Sequence, residues 1–149
     1  MGADLYIDSL FRPQHARWKA LFEKAAQEQD QFRVGTAEWH RAQERVHTCF
    51  RQMYASGYFR DPYNPWDLLW QFGLSWADAV IPLLDVDSRL SPEGATKLLR
   101  MLFEREGVFT CRLALVSASD AKYFHDRYSE LQAFLTQAIT FGESIECSI

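Results

Sequence analysis

The chain has 149 residues, the usual size of one domain, and a chain of that length can form a core without disulfides or metal. Its net charge is −4 and it has no long run of lysine or arginine, which argues against nucleic-acid binding because phosphate contacts need a basic face. No apolar stretch reaches the roughly 20 residues that span a membrane. The three cysteines do not fit a secreted disulfide framework, and the acidic N-terminus does not fit a signal peptide. We therefore expect a cytoplasmic protein.

Apolar residues alternate with polar ones at both ends of the chain. Ala3, Leu5 and Ile7 share one face of the N-terminal segment, and residues 145–149 repeat the pattern. A period of two is typical of a half-buried strand. Neither strand can bury its apolar face alone, so we predict that the two terminal strands pair with each other.

Two helices are predicted after the first strand. The first begins near Pro13, since proline is tolerated at the first helical position, and ends at Gly35. Thr36 is a good N-cap for the second, which we expect to end at Gly57. Apolar residues recur at helical spacing through both segments.

Residues 58–73 break the helical pattern, because they contain two prolines and mix aromatic with polar side chains. We predict a loop there, followed by a short helix over residues 66–72. Ser75 with Asp78 resembles a capping box and predicts a second short helix. Pro82 would kink or stop that helix.

Residues 85–90 are predicted to form a turn. Ser91-Pro92-Glu93 then supplies a cap, a first-position proline and a first-turn acid, a strong signal for the start of a helix. The apolar stripe that follows keeps one helical phase to about Val116. Residues 108–115 also alternate, which leaves a strand open as the alternative, and we favour the helix.

The last predicted helix begins after Ser117, with Asp120 in its first turn, and ends at Gly142. Its broad apolar face recurs at helical spacing from Tyr123 to Phe141. The sequence therefore predicts a mainly α fold, a bundle of about five helices with a small β-sheet formed by the N- and C-terminal strands. Because no linker or repeat divides the chain, we expect a single helical domain over residues 1–149.

Three segments resemble a family of small bacterial proteins that begin Gly-Ala-Asp-Leu-Tyr-Ile. They are residues 2–7, residues 53–64 and residues 142–148, which together cover a minority of the chain. The resemblance implies a bacterial source and a shared fold. The family has no established activity, so the resemblance carries over no catalytic residue.

Two clusters contain metal-ligand residue types. His40, Glu44 and His47 follow one face of the second helix, but the two histidines lie about 10 Å apart along its axis at 1.5 Å per residue. Asp85 and Asp87 match only the start of a calcium loop, whose later ligand positions are absent. We interpret the first cluster as a solvated face and the second as a turn, and we predict no cofactor and no metal.

The segment from Tyr54 to Trp76 has the composition of a ligand pocket or a protein interface, because it combines rings, an arginine and short polar side chains. Arg60 offers a planar fork of donors for a carboxylate or phosphate. Asp61 orients Arg60 or caps the local turn. The candidate ligand- or partner-binding residues are Tyr54, Tyr58, Arg60, Asp61, Tyr63, Asn64 and Trp66.

No nucleophile–base pair, P-loop or dinucleotide fingerprint is present in the sequence. We therefore favour a non-enzymatic interaction or regulatory module whose partner is another protein, with neither nucleic acid nor membrane as a partner. The alternative is a small-molecule-binding protein or enzyme with its site around residues 58–66. A concave site there favours the alternative, and an exposed apolar patch favours the module. The sequence does not determine the oligomeric state.

Overall fold

The computed structural model describes residues 2–62 and 66–149. The fold is mainly α, as predicted, but this described part contains seven α-helices rather than about five, and a sheet of four strands. A 3₁₀ turn, Ile81–Leu83, follows the fourth helix. In chain order the elements are β1 Ala3–Tyr6, α1 Asp8–Gln29, α2 Ala37–Met53, β2 Tyr58–Asp61, α3 Leu68–Gln71, α4 Trp76–Val80, β3 Arg89–Leu90, α5 Pro92–Glu104, α6 Glu106–Leu113, α7 Ala118–Phe141 and β4 Ile145–Ser148.

The two terminal strands pair antiparallel, which confirms the prediction made from their alternation. Leu5 lies opposite Cys147 in the register, and Ala3, Leu5 and Ile7 are fully buried. The prediction that the termini alone form the sheet was wrong. The strand order is β2-β1-β4-β3, so β2 and β3 extend the sheet at its two edges.

The added strands bring cations to the acidic outer face of the terminal strands. Arg60 of β2 lies 3.8 Å from the Asp4 carboxylate, measured from Nε to Oδ1. Arg89 of β3 lies opposite Glu146 of β4 in the register. Opposite charges on neighbouring strands stabilise a sheet modestly. The arginines of the two edge strands therefore offset the negative charge of β1 and β4. Those two strands could not balance that charge between themselves.

The chain divides into two compact units. The first unit comprises Met1–Ile7 together with Phe59–Ile149, and the second unit is Asp8–Tyr58. The second unit is a helical hairpin of α1 and α2. Helix α1 begins at Asp8 and not near Pro13, which lies inside it. Asp8 sits in the first turn, where the helix dipole favours an acid, and its carboxylate accepts a hydrogen bond from Arg12 at 3.1 Å.

Four helix starts predicted from hydroxyl residues are confirmed by their hydrogen bonds. The hydroxyl oxygen of each cap accepts from the backbone N–H three residues later, which satisfies one of the donors that a helix start leaves without an intrahelical partner. The four caps and their donors are Thr36 with Trp39, Ser75 with Asp78, Ser91 with Gly94, and Ser117 with Asp120.

For residues 108–115 the predicted helix, rather than the alternative strand, is confirmed as far as Leu113. The prediction that a single helix continues to about Val116 was wrong. Arg105 leaves the helical conformation and separates α5 from α6. Gly107, a weak helix former, follows in the first turn of α6. The apolar stripe nevertheless continues across the break, since Leu102 and Phe109 are both buried.

Helix α7 carries the longest buried face of the first unit. Residues such as Tyr128, Leu131 and Leu135 recur there at helical spacing. Tyr128 also meets a stack of two rings, because Phe72 lies 4.4 Å from Phe109 and 4.9 Å from Tyr128 between ring centroids. This packing holds the end of α3 against α6 and α7.

Candidate functional site

Asp61 is buried, with only 1% of its surface exposed. Its Oδ2 accepts hydrogen bonds from the indole Nε1 of Trp76 at 2.6 Å and from the backbone N–H of Leu68 at 2.8 Å. Burial raises the pKa of this carboxyl to about 6, against the lowering effect of those two hydrogen bonds. Asp61 therefore joins the end of β2 to α3 and α4, and it does not face solvent as a binding residue.

A second carboxylate fixes the start of α3. Asp67 precedes the helix and accepts a hydrogen bond from the Trp70 N–H at 2.8 Å. Leu68, Leu69 and Gln71 are buried, whereas Trp70 is exposed. A helix of four residues is too short to persist alone. The helix predicted over residues 66–72 is shorter in the structure than expected. The loop predicted before it contains strand β2.

Arg60 lies on the exposed face of β2. Its side chain is 59% exposed and pairs with Asp4, while its backbone carbonyl accepts a hydrogen bond from Arg127. Arg127 also lies over the Phe59 ring, with the guanidinium carbon 4.4 Å from the centroid. The guanidinium of Arg60 is therefore accessible, and the structural tie at this position runs through its backbone.

We predict that Arg60→Ala changes the free energy of unfolding by no more than about 0.5 kcal/mol, because the Arg60 side chain is 59% exposed and its 3.8 Å pair with Asp4 is screened by solvent on the arginine side. Urea unfolding of the variant beside the wild type measures this. The matched variant is Asp4→Ala, which removes the other partner of the same pair. A loss above about 1 kcal/mol for Arg60→Ala would show that its side chain is structural.

Tyr54 and Tyr58 belong to the hairpin unit and pack against each other, with ring centroids 4.9 Å apart. Phe11 lies within 6.0 Å of Tyr54 and 5.6 Å of Tyr58, and His15 lies 5.6 Å from Tyr54. Both tyrosines are half-buried. Within this unit they serve as packing rings of the hairpin.

Trp66 is the most exposed of the described candidates. It is 65% exposed and lies edge-to-face with Trp70, which is 46% exposed, at 6.3 Å between ring centroids. The candidates Tyr63 and Asn64 lie outside the described residues. Of the seven predicted residues, the structure thus places Trp66 on an exposed aromatic surface, together with a second tryptophan that was not singled out.

Two arginines that the sequence did not indicate lie beside the end of α3. The Arg112 guanidinium lies 5.1 Å from the Trp70 ring centroid, a cation–π distance, and donates to the Trp70 carbonyl oxygen. Arg105 donates from Nη1 to the Phe72 carbonyl oxygen at 3.5 Å. Exposed Val108 lies between the two arginines in sequence. We call Trp66, Trp70, Arg105, Val108 and Arg112 the tryptophan–arginine surface.

The spacing of these residues on α6 was the available signal. Arg105, Val108 and Arg112 recur at i, i+3 and i+7, so they share one side of the helix. Phe109 and Leu113, which are buried, mark the adjacent side. The link between this face and Trp70 depends on tertiary contacts over 42 residues of sequence.

A groove of about 450 Å³ lies on the hairpin unit between α1 and α2. Leu21, Ala25 and Cys49 contribute apolar surface to it, and its remaining lining side chains carry both signs of charge. Arg45 pairs there with Glu28 at 3.4 Å. These two opposite charges partly satisfy each other.

The residue types needed for metal binding do not converge within residues 2–62 and 66–149. No group of three or more His, Cys, Asp and Glu side chains there is placed to hold a metal ion. His40, Glu44 and His47 are all exposed, as expected for a solvated face. Asp85 closes its own turn, since its Oδ1 accepts from the backbone N–H of Asp87 at 3.0 Å and of Arg89 at 2.9 Å.

The three cysteines are free thiols. Burial raises the pKa of Cys147 to about 12, so this thiol stays protonated at neutral pH and is a poor nucleophile. None of the helices in the described ranges is both long and apolar enough to cross a membrane.

Comparison of the chain with protein-family models, with curated proteins and with solved structures finds no match.

Proposed function

We propose that this protein is a non-enzymatic interaction module and that the tryptophan–arginine surface is where it binds a protein partner. The observation that carries the proposal is the exposed edge-to-face pair of Trp66 and Trp70, 65% and 46% exposed. Single exposed apolar residues are common and need no explanation. Two adjacent tryptophans beside arginine have the composition of a binding hot spot, because Trp and Arg are enriched there.

The backbone beneath these rings supports the proposal. The carboxylates of Asp61 and Asp67 each accept a backbone N–H of α3, and Arg112 donates to the Trp70 carbonyl near the other end. Helix α3 is therefore held from both ends while Trp70 remains exposed. A surface fixed in advance loses less conformational entropy on binding. In this proposal Asp61 is a positioning residue.

Site-directed photo-crosslinking in the native cells tests the proposal, because it locates a contact even when the partner is unidentified. A photoreactive phenylalanine analogue replaces Trp66 or Trp70 in separate variants. Val86, which is fully exposed on the same unit, and Thr48, in the hairpin groove, are the matched control positions. We expect a protein adduct of one defined mass from positions 66 and 70 and none from 86 or 48.

Alanine variants complete this experiment. Trp66→Ala combined with Trp70→Ala should keep the melting temperature of the wild type within a few degrees, since exposed positions contribute little to stability. An adduct from position 48 alone would move the binding site to the hairpin groove. Equal adducts from all four positions, or none from 66 and 70, would contradict the proposal.

A further inference from the structure

Two guanidinium groups converge above Gly73. Gly73 has φ +71°, a left-handed conformation that favours glycine, so no side chain fills the space over its Cα. A Cβ built there would lie 3.7 Å from Arg112 Nη2 and 3.8 Å from Arg105 Nη1. Both nitrogens therefore border one position, beside Val108, where guanidinium donors of both arginines face the same space.

Both arginines retain donors for a ligand. A guanidinium has five N–H donors. Arg112 uses Nη1 for the Trp70 carbonyl, so Nη2 is the nitrogen that points over Gly73. The bond of Arg105 to the Phe72 carbonyl is long, at 3.5 Å, and Arg105 is exposed. These contacts orient the two groups without using up their hydrogen-bonding capacity.

The neighbouring carboxylates of α5 and α6 are paired elsewhere. Glu106 accepts a hydrogen bond from the Tyr128 hydroxyl at 2.9 Å, and Glu104 lies 3.8 Å from Arg100. Two of the three heavy atoms nearest to a Cβ on Gly73 are guanidinium nitrogens and none belongs to a carboxylate, so this space is locally positive although the chain carries a net charge of −4. That net charge opposes a polyanion such as a nucleic acid, which places one negative charge on every nucleotide.

We infer that the partner of the tryptophan–arginine surface is an acidic protein segment. One Asp or Glu carboxylate of that segment binds between Arg105 and Arg112, and an adjacent aromatic or aliphatic side chain packs on Trp66 and Trp70. This inference rests on the proposed function and adds the chemistry of the partner to it. Arginine and carboxylate groups form the short, charge-assisted hydrogen bonds that specify such a contact.

Selection from a random peptide library tests the inference. A displayed library of peptides about twelve residues long, enough for a strand or three helical turns, is selected on the wild-type protein and depleted on Trp70→Ala. We expect the enriched peptides to combine Asp or Glu with an aromatic or aliphatic residue. A synthetic copy of the most enriched peptide should bind the Arg112→Gln variant about tenfold more weakly, as for the loss of a charge-assisted contact.

Glutamine is the matched substitution because its amide retains a donor for the carbonyl of α3 while it removes the charge. The same change at Arg60, on β2, is the control and should leave the peptide affinity unchanged. Binding should also weaken as salt rises, since the contact is partly exposed.

Three results would overturn the inference. Enriched peptides without an acidic residue would leave the proposed function standing and remove the acidic partner. An affinity unchanged by Arg105→Gln and Arg112→Gln together would do the same. A single-stranded oligothymidylate that displaces the peptide and binds more tightly would assign the surface to nucleic acid. Failure to enrich any peptide that depends on Trp70 would instead count against the proposed function itself.

Discussion

Asp61→Ala should lower the free energy of unfolding by about 3 kcal/mol, the sum expected when two buried donors lose their acceptor at roughly 1–3 kcal/mol each. The Trp76 indole N–H and the Leu68 backbone N–H both donate to Oδ2 of Asp61, and alanine offers neither of them an oxygen. Trp76 and Leu68 are fully buried, so water does not replace the lost acceptor. Urea unfolding at pH 4, where Asp61 is protonated in the folded protein, with the slope compared between variants, measures the change.

Asp78→Ala is the control for that measurement. Asp78 is exposed, and its side chain accepts a hydrogen bond from the Ser75 hydroxyl at 2.6 Å. We expect its removal to cost less than about 1 kcal/mol, as for an exposed cap contact. If Asp61→Ala were no more costly than Asp78→Ala, the buried tie between β2, α3 and α4 would not be a major source of stability.

The same carboxyl should make stability depend on pH in an unusual direction. The pKa of Asp61 is about 6 in the folded protein, against 3.8 for the ordinary group, with burial as the largest cause. A proton then binds the folded state more tightly than the unfolded one. The contribution of this group is fully present below about pH 4 and is lost as pH rises through 6, a change of about 3 kcal/mol at 1.36 kcal/mol per pKa unit.

Asp61→Asn isolates this effect, because asparagine keeps an acceptor oxygen and does not titrate. The difference in unfolding free energy between wild type and Asp61→Asn should fall by about 2 kcal/mol from pH 4 to pH 7. Carboxyls that do not interact with Asp61 cancel in the difference. A difference that stays constant over that range, or that grows with pH, would show that Asp61 has an ordinary or lowered pKa.

Local signals in the sequence were sufficient for the strands at the termini and for the caps of the helices. Alternation over a few residues determines which face of β1 is buried, and a hydroxyl before a helix acts only on the next turn. The edge strands β2 and β3 could not be predicted in this way. Each is short, and each exists because it pairs with a strand that is distant in sequence.

The candidate site was predicted only in part for the same reason. Exposure of Trp66 agrees with a contact role, whereas the burial of Asp61 depends on α4 closing over it. Arg105 and Arg112 were missed because their positions near Gly73 follow from the packing of α6 beside α3. Composition drew attention to the aromatic segment, and tertiary contacts determine which of its side chains face solvent.

The account depends on Trp70 being a contact residue. The most direct test is the yield of the photo-crosslinked adduct from position 70 relative to that from position 86, measured in the same cells by mass spectrometry. The account predicts one adduct of defined mass from position 70 and none from position 86. Equal yields from the two positions, or an adduct from position 86 alone, would contradict it.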